Sequence, residues 1–464
     1  MRDSADQSGD NGSPPGGAVA EDLHDRHQAD RLDAAVRTTE PRTLREAIQA
    51  LDPITAVWAS PDGPAVLAVG QAKTVTASGA ARFQEVKRRG DRLLERVETA
   101  HLPERARPRL FGGLSFFDQA TLEPPWTDFE PAAFVLPAIQ VTLGRDQTLV
   151  SGFGAGAAPP RLDQIVQQLA HAGEGTQTKT DPRISATATD LRADRPDWIE
   201  RVRAIQDRIE TGPLQKAVLA AALDVALTDP LPLGAVLKTL TDRYPSCYRF
   251  SFTPPGTQAG DTPPAQFFGA TPEQLVGKRG RTVETEALAG TVERGATEAI
   301  DAANVSRLQR DSTLAVEHEF VASRIAEQLR ETAATVTVGD REVRSLANVH
   351  HLRTPIHATL DTDTHVLDFV ATLHPTPAVG GHPPEAALET IHEVESTVRG
   401  WYAAPVGWFD ANGDGEFAVG IRSALARDSR VTLFAGNGIV AGSDPETEYE
   451  ELAAKFRPIR EVLE

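Results

Sequence analysis

The chain has 464 residues, with 47 Lys plus Arg against 66 Asp plus Glu for a formal charge of −19; apolar residues make up 40% and charged residues 24%. Those are globular values, so wholesale disorder is excluded, and so acidic a surface repels phosphate backbones and anionic lipid, which argues against nucleic acid and membrane surfaces as partners. One cysteine, Cys247, excludes a disulfide framework and any multi-Cys metal site. No apolar run approaches the roughly 18–20 residues that span a bilayer, and the N-terminal segment lacks the apolar core of a secretory signal, so the expected location is the cytoplasm. Seven lysines stand against forty arginines. With the −19 charge, that balance resembles the proteins of salt-in halophiles; a high-GC genome also trades Lys for Arg, but does not by itself account for the charge.

Residues 1–38 carry Asp, Ser, Gly, Pro and Gln with few large apolar side chains, and are expected to form a disordered acidic tail ahead of one catalytic domain at 39–464. In the less specific part, 39–185, short apolar runs such as Ala56–Ala59, Leu110–Phe117 and Ala133–Leu136 predict strands. A polar stretch at about 171–194 links them to the part at 195–464. There Trp198, Val202, Ile205 and Ile209 recur at helical spacing until Thr211-Gly212-Pro213 stops the helix. Strands are predicted at Leu214–Ala221, Tyr248–Phe252, Gln266–Gly269, Thr282–Ala289, Val406–Phe409, Glu416–Ser423 and Val431–Ala435, and long helices at about 297–331 and 445–463. Blocks of strands and helices without regular βαβ alternation predict an α+β fold: large antiparallel sheets packed face to face with helices outside.

Several segments carry chemistry. Lys216 shares a strand face with Leu214 and Val218, where lost solvation would favour the neutral amine; taken alone, the segment reads first as an edge lysine reaching solvent. Glu273, in Gly-Ala-Thr-Pro-Glu, falls at a turn or helix start at the end of a strand, the place for a general acid or simply for a first-turn carboxylate. Glu317 lies on the apolar stripe of Leu314, Val321 and Ile325 and so needs a partner. Glu448 and Glu451 point the same way on a helix with Lys455 one turn on; carboxylates without His or Cys suit a hard cation such as Mg²⁺, although a solvated acidic face reads the same. Arg422 and Tyr402 offer a guanidinium fork and a phenol for a carboxylate, and Gly436-Asn437-Gly438 ends a strand with backbone open to a ligand. The loop Asp410–Gly415 opens like a calcium loop, but Ile421 stands where the bidentate Glu is required, so a hairpin turn is expected. Asn304-Val305-Ser306 is a glycosylation sequon inside a predicted helix, expected to be idle. His350-His351 and His374 lack zinc spacing and are expected to pack or to touch substrate.

In this order the segments resemble the chorismate-utilising enzymes, strongly over 195–464 and weakly through Phe111–Asp118. The matching pieces are Leu-Gln-Lys-Ala-Val-Leu at 214–219, Gly-Ala-Thr-Pro-Glu at 269–273, Glu-Ala-Leu-Ala-Gly-Thr at 286–291 and Glu-His-Glu at 317–319. They continue with His-Leu-Arg-Thr-Pro at 351–355, Leu-His-Pro-Thr-Pro-Ala at 373–378, Gly-Ile-Arg-Ser-Ala at 420–424 and Gly-Ser-Asp-Pro-Glu-Thr-Glu-Tyr-Glu-Glu at 442–451. The resemblance implies Lys216 as the base that takes a proton from water attacking C2 of chorismate, and Glu273 as the acid for the departing C4 hydroxyl. It implies Glu317, Glu451 and Glu448 as Mg²⁺ ligands and Tyr402, Arg422, Gly436 and Gly438 around the enolpyruvyl carboxylate. Gly290, Thr291 and His351 would line the ring pocket, with Lys455 near the metal carboxylates. Members that use ammonia have Gln at the position of Lys216, and others a nucleophilic Lys where this chain has Ala289. Water is therefore the expected nucleophile and isochorismate the expected product, without a glutaminase subunit and with the chain a monomer. Isochorismate formation followed by pyruvate loss, and a non-catalytic binding protein, are the alternatives; the product is expected to feed menaquinone synthesis ahead of a siderophore. Asn437 and Ala403-Ala404 depart from the family's small residue and Gly pair.

Overall fold

The apolar runs become strands that join in one hydrogen-bonded network, and in the computed structural model, which describes residues 31–119, 123–154, 159–172, 184–256 and 264–463, every ladder between strands is antiparallel. The neighbour-to-neighbour path starts at Val349–Thr359 and runs through Thr282–Glu293, Gln274–Arg279, Gly415–Val419 and Pro405–Asp410. It passes through the first half by Arg109–Leu114, Ala132–Leu143, Ala65–Ala77 and Ala56–Ala59. It then returns through Tyr248–Phe252, Gln266–Thr271, Ser423–Arg427 and Arg430–Val440 to Lys216–Leu227. The less specific half therefore supplies the middle of the sheet, and its rings pack with those of the second half: Trp126 on Phe267 with centroids 5.2 Å apart, Phe134 on Phe409 at 5.1 Å. Each buried ring contributes roughly 2–3 kcal/mol. Helices cover the outside, as expected for this class.

The site is positioned by two crossovers. The chain leaves Gln266–Thr271, turns at Pro272-Glu273, and enters Gln274–Arg279, which pairs with different neighbours. Beside it, Gly415–Val419 gives way at Gly420–Arg422 to Ser423–Arg427. The crossovers are stitched together: the Val419 N–H donates to Glu273 O (3.1 Å) and the Ala270 N–H to Arg422 O (3.1 Å). Arg422 has φ 48°, a left-handed conformation that L residues adopt at a cost and that recurs at functional sites.

Several expectations are corrected. Of the two placements expected for Glu273, a turn or a helix start, the structure has the turn, between two strands. Glu416–Ser423 is not one strand but is broken by the second crossover. The predicted helix at 297–331 is two helices, Glu298–Arg310 and Ser312–Arg330, because Asp311 takes an extended conformation and its carboxylate accepts from the N–H groups of Thr313 and Leu314, capping the second helix. The strand Arg430–Val440 does not end at Gly436 and Gly438 but runs through both, in register with Ala220 and Val218. Asp33–Thr39 is a strand paired with Thr148–Gly154, so order reaches into the expected tail, whose residues 1–30 lie outside the described residues. The polar link holds a strand at Ala186–Leu191, and its residues 173–183 also lie outside them. Asp410–Gly415 is the expected hairpin turn, and no helix among the described residues is long and apolar enough to cross a membrane.

Candidate active site

Lys216 opens the strand Lys216–Leu227, paired with Val440 on one side and His382 on the other, which fixes its backbone before its side chain is considered. Its ammonium meets Glu317 Oε1 at 2.6 Å, with the Lys216 side chain 15% exposed. Glu317 comes from the Ser312–Arg330 helix, anchored by buried His318, which contacts Ala289 O at 3.2 Å and Thr354 Oγ1 at 2.8 Å. Gly438, on the neighbouring strand, lies against the Lys216 side chain: a Cβ there would fall 2.6 Å from Lys216 Cε, and the lysine tip would have to shift. A Cβ on Gly436 would approach Tyr402 Oη to 3.2 Å and Leu219 O to 3.0 Å. Tyr402 stacks on Phe434, and its burial raises the phenol pKa, so it stays a neutral donor.

Glu273 is 7% exposed, and burial, reinforced by the negative charge of Glu286, pushes its carboxyl up to about 8. Thr376, Lys216 and Arg422 oppose that rise only in part. With its carboxyl raised to about 8, Glu273 holds its proton at neutral pH, within electrostatic reach of Lys216. Across the crossovers, Arg422 Nη2 donates to His351 Nε2 at 3.2 Å, which leaves His351 Nδ1 to donate to Thr291 Oγ1 at 2.8 Å. Burial and then the charges of Arg422 and Arg344 lower the His351 pKa to about 3, consistent with that neutral tautomer. Thr291 follows a bulge in the ladder at Gly290, whose φ of 73° suits glycine.

On the helix Pro445–Arg460, Lys455 Nζ donates to Gly436 O at 3.1 Å. The residue stays open to water, yet crowding by protein lowers its pKa against the pull of Glu451 and Glu448. Glu451 is raised by desolvation and by Glu448 and Glu293, with Lys455 opposing. Glu448 is held by two donors, Asn437 Nδ2 at 2.8 Å and Ser443 Oγ at 2.7 Å. Among the described residues no group of three or more His, Cys, Asp or Glu side chains is gathered to hold a metal ion; Glu317 meets Lys216, and each Glu448 oxygen accepts one hydrogen bond.

The site therefore gathers Lys216, Glu273, Glu317, Arg422, His351 and Thr291 around one end of the sheet, and brings Tyr402, Gly436, Gly438 and Lys455 to the adjoining strand. Sequence reasoning assigned no role to Glu286, which is buried and paired with Arg344 (2.7 Å) and Arg353 (2.5 Å), or to Thr376. Glu286 alternates in phase with exposed Thr282 and Glu284, so the strand pattern reads it as outward and gave no signal; its burial comes with the charged partners Arg344 and Arg353. His374 packs, its Nε2 3.2 Å from Phe116 O, as expected.

A family model described as chorismate binding enzyme matches residues 20–464. The chain is 31% identical to the isochorismate synthase MenF of Bacillus subtilis, over 95% of this chain and 96% of that protein. It is 33% identical to the salicylate biosynthesis isochorismate synthase of Pseudomonas aeruginosa, over 77% of this chain and 74% of that protein. Among solved structures, MenF, the menaquinone-specific isochorismate synthase from Escherichia coli, matches in fold with a TM-score of 0.74 at 24% identity, covering 96% of this chain and 99% of that one.

Proposed function

The chain belongs to the chorismate-binding enzymes, and from that premise we propose that it is an isochorismate synthase, an isomerase that moves the hydroxyl of chorismate from C4 to C2. The observation that carries the reading is that Lys216, at the position of the water-activating base and paired with Glu317, shares its site with Glu273, whose carboxyl burial pushes up to about 8. Lys216, once neutral, takes a proton from the water that attacks C2, while Glu273 gives its proton to the C4 hydroxyl, which leaves as water. One water is consumed and one released, so the reaction is an isomerisation. Arg422 supplies a planar fork for the enolpyruvyl carboxylate, beside Tyr402 and the backbone at Gly436 and Gly438. Thr291, accepting from His351, keeps its own hydroxyl proton free for a ring substituent.

Mg²⁺ fits the donor chemistry. Glu317, Glu448 and Glu451 are oxygen ligands of the kind a hard cation takes, and Glu448 and Glu451 lie three apart on the Pro445–Arg460 helix, on the same side. Those three residues would hold the ion, and when bound it supplies charge for the ring carboxylate of the substrate. The chain is further read as a cytoplasmic monomer that needs no glutaminase subunit and supplies menaquinone synthesis. Incubation with chorismate and Mg²⁺ in molar KCl, with products separated by chromatography, is expected to yield isochorismate. Release of pyruvate with salicylate would overturn the assignment, and so would the absence of any turnover.

A further inference from the structure

Asn437 stands between two glycines in the middle of the strand Arg430–Val440, fully buried, where its amide must find partners inside the protein. Its Nδ2 donates twice into the first turn of the Pro445–Arg460 helix: to Glu448 O at 2.7 Å and to Glu448 Oε2 at 2.8 Å. Both receivers are acceptors, so the amide orientation is determined by the network and not by convention. The second carboxylate oxygen, Glu448 Oε1, accepts from Ser443 Oγ at 2.7 Å, and Ser443 is itself held, its N–H donating to Val440 O. The Glu448 carboxylate is thus fixed at both ends by donors that belong to the sheet and to the turn before the helix. Meanwhile Asn437 Oδ1 has no partner, an uncompensated buried acceptor that packing alone would not select.

We infer that Asn437 is a positioning residue: with Ser443 it latches Glu448 in the orientation from which that carboxylate serves the divalent cation. The inference rests on the proposed Mg²⁺-dependent function and on Glu448 as part of its cation site. A carboxylate held in advance loses little rotamer freedom when a cation binds, and supporting hydrogen bonds to metal ligands are typically worth about 10–100-fold in metal affinity. Asn437→Ala strips the donor from Glu448 O and Oε2 at a buried position, so Ser443→Ala, at a partly exposed residue outside the helix, is the second variant that decides the matter should the first fail to fold.

The experiment is a calorimetric titration of the full chain with Mg²⁺ alone, without chorismate, in wild type, Asn437→Ala and Ser443→Ala, each checked for an unchanged thermal melt. Both variants are expected to bind Mg²⁺ at least about tenfold more weakly, and in turnover the Mg²⁺ concentration for half-maximal rate should rise by the same factor, with a smaller loss of kcat at saturating Mg²⁺. Affinity within twofold of wild type in both variants, or tighter binding, would overturn the positioning role while leaving the proposed function standing. A wild type that neither binds Mg²⁺ nor needs it for turnover would overturn the cation site, and the latch with it.

Discussion

Glu273 and Lys216 sit close enough to influence one another. Burial and Glu286 favour the neutral acid at Glu273, whereas Lys216 is given a carboxylate partner in Glu317. Because the folded pKa of Glu273, about 8, lies above its ordinary carboxylate value, the folded state holds the proton more tightly than the unfolded chain. Stability from this group is therefore complete below the unfolded pKa and is lost as pH rises through about 8. Glu273→Gln, neutral at every pH, should melt close to wild type at pH 5 and above it at pH 9; a difference independent of pH would remove Glu273 as the raised group. The same substitution should lower kcat by about 10²–10⁴, and wild-type kcat/KM should itself decline above pH 8 as the acid ionises. Lys216→Ala should cost a similar factor while leaving the far-ultraviolet spectrum intact, and a near-normal rate would acquit Lys216 as base. None of these roles was legible from Lys216 or Glu273 alone, since the segments read first as an edge lysine and a first-turn carboxylate; only the eight motifs in register reversed those readings.

The strand that carries Lys216 has a gap along one edge. Gly381-His382 pairs with Ala217 and Lys216, and Ala186–Leu191 takes up the edge again at Leu223, but among the described residues no strand lies between. Arg399 and Glu395 fill the gap with side chains: Arg399 Nη2 donates to Val218 O at 2.6 Å, and Glu395 Oε2 accepts from the Ala220 N–H at 2.8 Å. The two are bonded to each other and almost wholly excluded from water, with the guanidinium carbon 4.2 Å from the centroid of the Phe116 ring. Removing one member of such a pair strands a charge and leaves ladder groups unpaired. Arg399→Met should therefore cost about 3–5 kcal/mol in urea unfolding, with a fall in kcat from the displaced Lys216 strand. A loss under about 1 kcal/mol would show the edge to be held otherwise. Glu395 and Arg399 are i,i+4 in sequence and read as a solvated surface pair, so nothing local marks them. The elements that were legible are those with long periods or sharp stops, such as the helix closed by Gly212 and the strand Tyr248–Phe252. The crossovers at Glu273 and Gly420–Arg422 were not, because a strand that changes neighbours keeps its apolar pattern. Asp311 was missed because one acidic residue scarcely disturbs a helical period.

At the scale of the whole molecule, the −19 charge and the dianionic substrate stand in conflict. The field of the surface repels chorismate, so attraction must be confined to Arg422, Lys455 and the neutral donors around them, together with any bound cation. At 0.1 M salt the Debye length is about 10 Å, so the surface repulsion reaches an approaching ligand; near 1 M it shrinks to about 3 Å. Contacts inside the cleft are shorter than that and less exposed to mobile ions, so they survive concentrations that erase the long-range field. Salt should consequently help this enzyme where it hinders an electrostatically steered one: kcat/KM for chorismate is expected to rise as KCl goes from 0.1 to about 1 M and then to level off. The same screening relieves repulsion within the fold, so the melting temperature should climb over the same range. A further climb beyond about 1 M, where screening is spent, would come from hydration of the carboxylate-rich surface, the behaviour that the scarcity of lysine anticipates. The measurement is a pair of KCl series, initial rates at subsaturating chorismate and thermal melts, with Mg²⁺ held constant. A kcat/KM that falls steadily with salt would mean that the acidic surface does not oppose capture. A melting temperature that falls as well would remove the halophilic reading of the composition.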